Sequence, residues 1–218
     1  MIKLENVTLV SMTSIHVEST INALLKSCIG VEYGDVKLIS HVKPKDLPDN
    51  INFGMVSKMD TVNDYSYNMI YHLGDHIDTD FALIIQDDGY VVNPESWMDE
   101  FLEYDYIGAP FVLPKDNFSY RDINGVIFRV GNGGFSLRSK KLINLAKKLE
   151  LEWKPFHGYY NEDGFICAMN RHIYENNGCK FAPLDIAKYF SHEAKIPEIK
   201  GITPFGFHGK THEYYNLI

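Results

Sequence analysis

Four short stretches of this chain carry side chains able to do chemistry. In the first, Ile84-Ile85-Gln86-Asp87-Asp88-Gly89, two carboxylates stand side by side. Adjacent carboxylates repel unless a cation, a donor network or water compensates them, and a divalent metal is the simplest compensation. An acidic turn is the plain alternative, since Asp and Gly are ordinary turn formers. In the second, Gly131-Asn132-Gly133-Gly134-Phe135-Ser136-Leu137-Arg138, the glycines let backbone approach a ligand closely. Taken alone that stretch reads as a tight connection, and it lacks the Gly-Lys-Ser/Thr ending of a phosphate-cradling P-loop. The third, Asn161-Glu162-Asp163-Gly164, sets two acids in the first turn of a helix capped by Asn161, where the helix dipole favours them for structural reasons alone. The fourth, Phe205-Gly206-Phe207-His208-Gly209, holds a histidine between glycines in an aromatic loop. A histidine needs a partner to count as a ligand.

The elements that must position these stretches can be read from periodicity. Residues 82–85 are consecutively apolar, as expected of a strand buried on both faces, and the acidic pair stands where that strand ends. Asn93 suits a helix cap, Pro94 the first helical position, and Trp97, Phe101 and Leu102 one apolar face. A helix is therefore predicted after residue 94, and the acidic pair falls at the carboxyl end of a strand-loop-helix unit, where open α/β sheets bind ligands. Residues 7–12 read as a strand. A helix follows, capped by Ser14, with Val17, Ile21, Leu24, Leu25 and Cys28 on one side and Gly30 at its end. Residues 36–40 complete a β-α-β opening. Further on, the pattern predicts a short strand near 53–56, a helix over 63–73 capped by Asp60 or Thr61, and strands over 106–110 and 126–130. Residues 114–124 read as a loop, Ser139 as the cap of the next helix, and Gly178 as the end of the helix that begins at Asn161. The aromatic segment 153–160, with His157, and the tyrosine-rich end with His212 fit no periodic element. The expected architecture is α/β, a single domain over residues 1–218, with a mixed, mostly parallel central sheet flanked by helices.

Bulk properties narrow the partners. A net charge of -8 on 218 residues gives no general attraction to nucleic acid or anionic lipid, so a phosphate-bearing ligand must be held locally. Three cysteines, Cys28, Cys167 and Cys179, stand at no zinc-like spacing in apolar surroundings, as buried reduced thiols do. No apolar run reaches transmembrane length and the first residues lack signal-peptide organisation. The expected address is cytoplasmic, with peripheral membrane contact left open.

Taken in order, the four stretches resemble a GT-A type glycosyltransferase, and more closely a glycosyltransferase-like domain family found in surface-polysaccharide settings. The resemblance spans roughly residues 7–209. It implies a Rossmann-like GT-A fold, a nucleotide-sugar donor such as a UDP-sugar, a glycan or other hydroxyl acceptor, and Mn²⁺ or Mg²⁺ at the acidic pair. Gly89 stands where the last aspartate of an Asp-x-Asp motif is expected, so Asp88, with or without Asp87, must bind the metal, and His208 matches a C-terminal histidine ligand. Glu162-Asp163 resembles the Glu-Asp pair of inverting galactosyltransferase-type enzymes, which makes Asp163, or failing that Glu162, the general base; retention stays open. Gly133-Gly134 resembles the glycine loop beside the donor sugar. Thr13 and Ser14 are candidates to meet uracil or ribose, Tyr67 to stack on the base, and Arg138 to pair with a phosphate or with Glu162 or Asp163. A non-catalytic nucleotide-sugar-binding module, or a hydrolase using the same carboxylates, are the alternatives.

Overall fold

The computed structural model describes residues 1–115, 120–155 and 161–209; His157 and His212 lie outside them. In chain order its elements are β1 (Ile2–Met12), α1 (Val17–Ser27), β2 (Val31–Ser40), β3 (Asn52–Met55), α2 (Val62–Tyr71), β4 (Phe81–Ile85), β5 (Gly89–Val91) and β6 (Tyr106–Gly108). Then come β7 (Phe135–Ser139), α3 (Lys140–Lys148), α4 (Glu162–Gly164), α5 (Arg171–Asn176), α6 (Leu184–Phe190), β8 (Ser191–His192) and β9 (Gly206–His208). Six strands form one sheet in the order β3-β2-β1-β4-β7-β6. The four from β3 to β4 are parallel, and β7 runs antiparallel between β4 and β6. This is the expected mixed, mostly parallel α/β architecture.

The continuous apolar character of β1 and β4 follows from cover on both faces. Leu9, Leu83 and Ile85 pack with Leu24 of α1 and with Phe190, whereas Val10, Ala82 and Ile84 pack with Met69 of α2 and Ile143 of α3. Successive side chains on a strand point to opposite faces, so the two sets interleave along the sequence. Among the described residues no helix is long and apolar enough to cross a membrane.

A second sheet, ordered β5-β9-β8, leaves the end of β4 at a right place to collect the C-terminal part of the chain. The antiparallel pairing of β5 with β9 sets Gly89 opposite His208. Trp97 and Phe101 pack their rings against Phe205 and Phe190, 5.1 and 5.2 Å between centroids, which anchors the segment leading into β9.

Several expectations need correction. No α-helix follows residue 94: two 3-10 turns, Pro94–Ser96 and Asp99–Glu103, are separated by extended backbone at Trp97 and Met98. Asn93 does not cap; its side-chain amide donates to Pro204 O at 2.8 Å, so the segment is tied to the chain before β9 instead of starting a helix. Residues 126–130 form only isolated bridges, Pro110 with Val130 and Arg121 with Ile127. The sheet strand is β7, immediately after the glycines, because Phe135 and Leu137 bury completely between β4 and β6 while Val126 stays half exposed. Ser14 does not cap α1. The preceding residue is His16, in the left-handed region at φ 52°, and the Ser14 hydroxyl accepts from the Met59 amide at 2.9 Å. The helix after Asn161 is broken: α4 passes into a π-helical turn over Phe165–Met169 before α5, and Asn161 makes no side-chain cap bond.

The cap of α2 is as read. Thr61 accepts from the Asp64 amide and Asp64 reaches back to the Thr61 amide at 2.9 Å, a capping box. Thr61→Ala should cost about 1 kcal/mol and lower the thermal midpoint by roughly 2–4 °C. A calorimetric scan with an unchanged midpoint would show that α2 is held by packing alone.

Candidate functional site

At the carboxyl ends of β1 and β4 lies a cleft of about 540 Å³. Its wall is assembled from distant parts of the chain: Thr13 and Ser14 after β1, Tyr65 on α2, Gln86 and Asp87 after β4, Asn132, Gly133 and Gly134 before β7, Asn161 to Asp163 at α4, and His208 on β9. Asp88 is at the margin, half exposed, with its Oδ1 3.2 Å from His208 Nε2.

Arg138 and Tyr67 stand apart from the cleft wall. Arg138 is 1% exposed beneath the floor, where its Nη2 donates to Glu162 Oε1 at 3.1 Å and its Nε to Ser136 Oγ at 3.1 Å. Of its two candidate partners, a phosphate or an acid, it meets the acid. Tyr67 is 42% exposed and packs on Tyr71, 4.8 Å between ring centroids, and edge-on to Trp153. At about 100° per helical residue, positions 65 and 67 face nearly opposite ways. The tyrosine that reaches the cleft is therefore Tyr65.

Sequence reasoning also passed over Gln86. Its Nε2 donates to the Tyr65 hydroxyl at 3.1 Å and its Oε1 lies 3.0 Å from His208 Nε2, so it links α2 to β9 through the end of β4. Its place directly before the acidic pair was the available signal. Glu193, 3.6 Å from His208 Nδ1, had none.

Two glycines make close contacts possible. A β-carbon on Gly133 would overlap the Glu162 carboxylate, and one on Gly134 would overlap the His208 imidazole. The glycine stretch thus seats the acid and the histidine against backbone as well as lining the cleft.

The two acids of α4 are electrostatically distinct. Glu162 is buried and paired with Arg138. Asp163 keeps part of its surface toward the cleft, yet burial of its carboxyl, reinforced by the Glu162 charge, pushes it up to about 7. The Gly164 amide, which donates to Asp163 Oδ1 at 2.7 Å, and the Arg138 charge pull the other way and lose. A helix dipole was expected to depress this group, and burial with the Glu162 charge acts against it. A carboxylate titrating near neutrality can accept a proton from a hydroxyl.

At the other end, burial alone would lower His208, but the Asp88 and Glu193 carboxylates outweigh it and raise the imidazole to about 9. Asp88 Oδ1 and His208 Nε2 stand 3.2 Å apart as an ion pair, and a divalent cation held by both would have to displace the imidazole proton between them. A carboxylate with an imidazole would suit Mn²⁺ better than Mg²⁺, which prefers oxygen ligands. Among the described residues no group of three or more His, Cys, Asp and Glu is disposed to hold a metal, so the remaining positions would fall to substrate oxygens and water, as is common for Mg²⁺.

Residues 51–208 match the model of a family described as "Protein of unknown function (DUF5672)". The chain belongs to that family. The DUF5672 region takes in the cleft residues from Met59 to His208, while Thr13 and Ser14 precede it. No curated protein matches the chain in sequence. Among solved structures it is similar to a glycosyltransferase involved in the glycosylation of the major capsid of PBCV-1, with 13% identity, a TM-score of 0.50, and coverage of 97% of this chain and 99% of that one. It is also similar to a fragment of S. aureus TarS, residues 1–349, with 11% identity and a TM-score of 0.52, where 97% of this chain spans 63% of that fragment. At such identities the likeness shows that the chain shares the fold of these two proteins, and activity has to be argued from the site.

The raised Asp163 has a stability consequence. Between its ordinary 3.8 and about 7 the folded chain holds a proton that the unfolded chain has released. This stabilisation is complete at low pH and declines as pH rises through 7. Carbon-13 NMR of the Asp163 carboxyl should show a midpoint near 7, and Asp163→Asn should raise the melting temperature at pH 8 but not near pH 3. A midpoint near 4 would contradict the burial argument.

Proposed function

We propose that this DUF5672 protein is a glycosyltransferase that moves a sugar from a nucleotide-sugar donor, a UDP-sugar, to a hydroxyl of a glycan or other acceptor, with inversion and with a divalent cation. The observation that carries the reading is the convergence of Asp163, titrating near neutrality, with Asp87 and His208 in one cleft on a glycosyltransferase fold.

Asp163 is the general base. It takes the proton of the acceptor hydroxyl as that oxygen bonds to the anomeric carbon, while the bond from that carbon to the diphosphate breaks on the opposite side. Glu162, neutralised by Arg138, holds the wall beside Gly133 and leaves proton transfer to its neighbour. Thr13 and Ser14, after β1, face the nucleoside, and Tyr65 lines the same cleft. Asp88 and His208, with or without Asp87, would hold Mn²⁺ or Mg²⁺, and a cation bound there would neutralise charge developing on the diphosphate. Residues 1–218 act as one transferase unit in polysaccharide biosynthesis. A cytoplasmic setting suits the three free cysteines.

One observation favours a second reading, a nucleotide-sugar-binding module without turnover: Gly89 stands in the place of a third acidic ligand, which leaves the cation few protein donors.

Incubation with a panel of UDP- and GDP-sugars and an acceptor oligosaccharide, read by mass spectrometry, should give acceptor-dependent sugar addition. Metal-dependent binding with no turnover across the panel would favour the module, and release of free sugar indifferent to acceptor would make the protein a hydrolase. Asp163→Asn should retain donor binding and lower transfer about a hundredfold or more, abolishing the rise of kcat/KM through about pH 7. Near-normal transfer by that variant removes Asp163 as the base. Asp88→Ala should abolish the metal dependence of UDP binding, and His208→Ala should weaken it less, since water can replace one ligand.

A further inference from the structure

Glu193 has no place in the transfer chemistry above, and it does not line the cleft. It is the first residue after β8, which pairs in parallel with β9 in the register Ser191 to Gly206 and His192 to Phe207. One step further along that register, Glu193 comes level with His208. On the opposite side of β9, β5 brings Asp88 and Gly89 alongside the same histidine. The imidazole is thus flanked through both neighbouring strands of the small sheet.

The contacts divide between its two nitrogens. Nε2 lies 3.2 Å from Asp88 Oδ1 and 3.0 Å from Gln86 Oε1. Nδ1 is buried and makes no hydrogen bond among the described residues, and Glu193 Oε1 stands 3.6 Å from it, an ion-pair distance that a small rotation would close to a hydrogen bond. Both side chains are nearly enclosed, 14% exposed for His208 and 15% for Glu193. The backbone of Gly134 closes off one side of the ring.

We propose that Glu193 is a positioning residue: its carboxylate holds the Nδ1 edge of His208, so that Nε2 stays turned toward Asp88, where a divalent cation would take the place of the Nε2 proton. The cation part of this inference rests on the function proposed above. A carboxylate on the far nitrogen of a ligating imidazole fixes the ring's orientation and strengthens it as a donor, and loss of such a partner typically costs ten- to a hundredfold in metal affinity. Glu193 acts through His208 and touches neither donor nor acceptor.

The test uses the full chain with Mn²⁺ and UDP, with free Mn²⁺ followed by electron paramagnetic resonance. Glu193→Ala should weaken Mn²⁺ binding about ten- to a hundredfold. Glu193→Gln, which keeps an oxygen acceptor at the same reach, should restore most of the loss. UDP affinity measured without metal should be the same in all three proteins. Unchanged Mn²⁺ affinity in Glu193→Ala overturns the proposal. A second readout separates it from the cation assignment: the Nδ1 proton of His208, sheltered by Glu193, should give a slowly exchanging NMR resonance in the metal-free protein that Glu193→Ala abolishes. If that loss is seen in a protein that binds no Mn²⁺, the cation reading falls and the hold of Glu193 on His208 stands. Persistence of the resonance in Glu193→Ala overturns that hold. Should Glu193→Ala fail to fold, a shift of the same resonance in Glu193→Gln supports the contact, and an unshifted resonance refutes it.

Discussion

The site turns on one buried ion pair. Arg138 projects from β7, between β4 and the edge strand β6, and meets Glu162 at the start of α4, both almost wholly out of water. Breaking such a pair by removing one partner leaves an uncompensated buried charge, at a cost of about 3–5 kcal/mol, so α4 is fastened to β7. The same pair sets the chemistry next door. Because Arg138 is engaged with Glu162, the adjacent Asp163 gets only part of its field, and burial with the Glu162 charge keeps the carboxyl up at about 7. Two neighbouring acids thereby acquire different tasks, one holding structure and one open to proton transfer.

The histidine is placed by a different logic. The small sheet delivers His208 from the far end of the described chain to the end of β4, and the glycine at 134 allows the ring to sit against backbone. A residue with no local reason to be near Asp88 is thus placed by strand register, and the cleft has room for a ligand the size of a nucleotide sugar.

What was legible in the sequence was local. The both-face-buried run of β4, the acidic pair at its end and the Thr61 cap each depend on residues a few positions apart, and each element stands as read. The strand over 126–130 failed because Val-Ile-Phe-Arg-Val is more strand-like by propensity than Phe-Ser-Leu-Arg-Ser. What selects the second is tertiary: Ser136 and Arg138 can be buried mid-sheet because Gly133 and Glu162 satisfy them. The helix after residue 94 failed for a similar reason, its would-be cap Asn93 being engaged by Pro204, more than a hundred positions away. Tyr65 and Glu193 were missed because their roles depend on the direction a helix presents and on a ladder between separate segments, which composition does not record.

The most direct test of the account is a crystal of the protein with UDP and Mn²⁺, measured at the manganese absorption edge. The account predicts one anomalous peak against Asp88 and His208, with the diphosphate beside it and Asp163 lining the same cleft. Nucleotide bound outside this cleft, or manganese seated away from both Asp88 and His208, would contradict it.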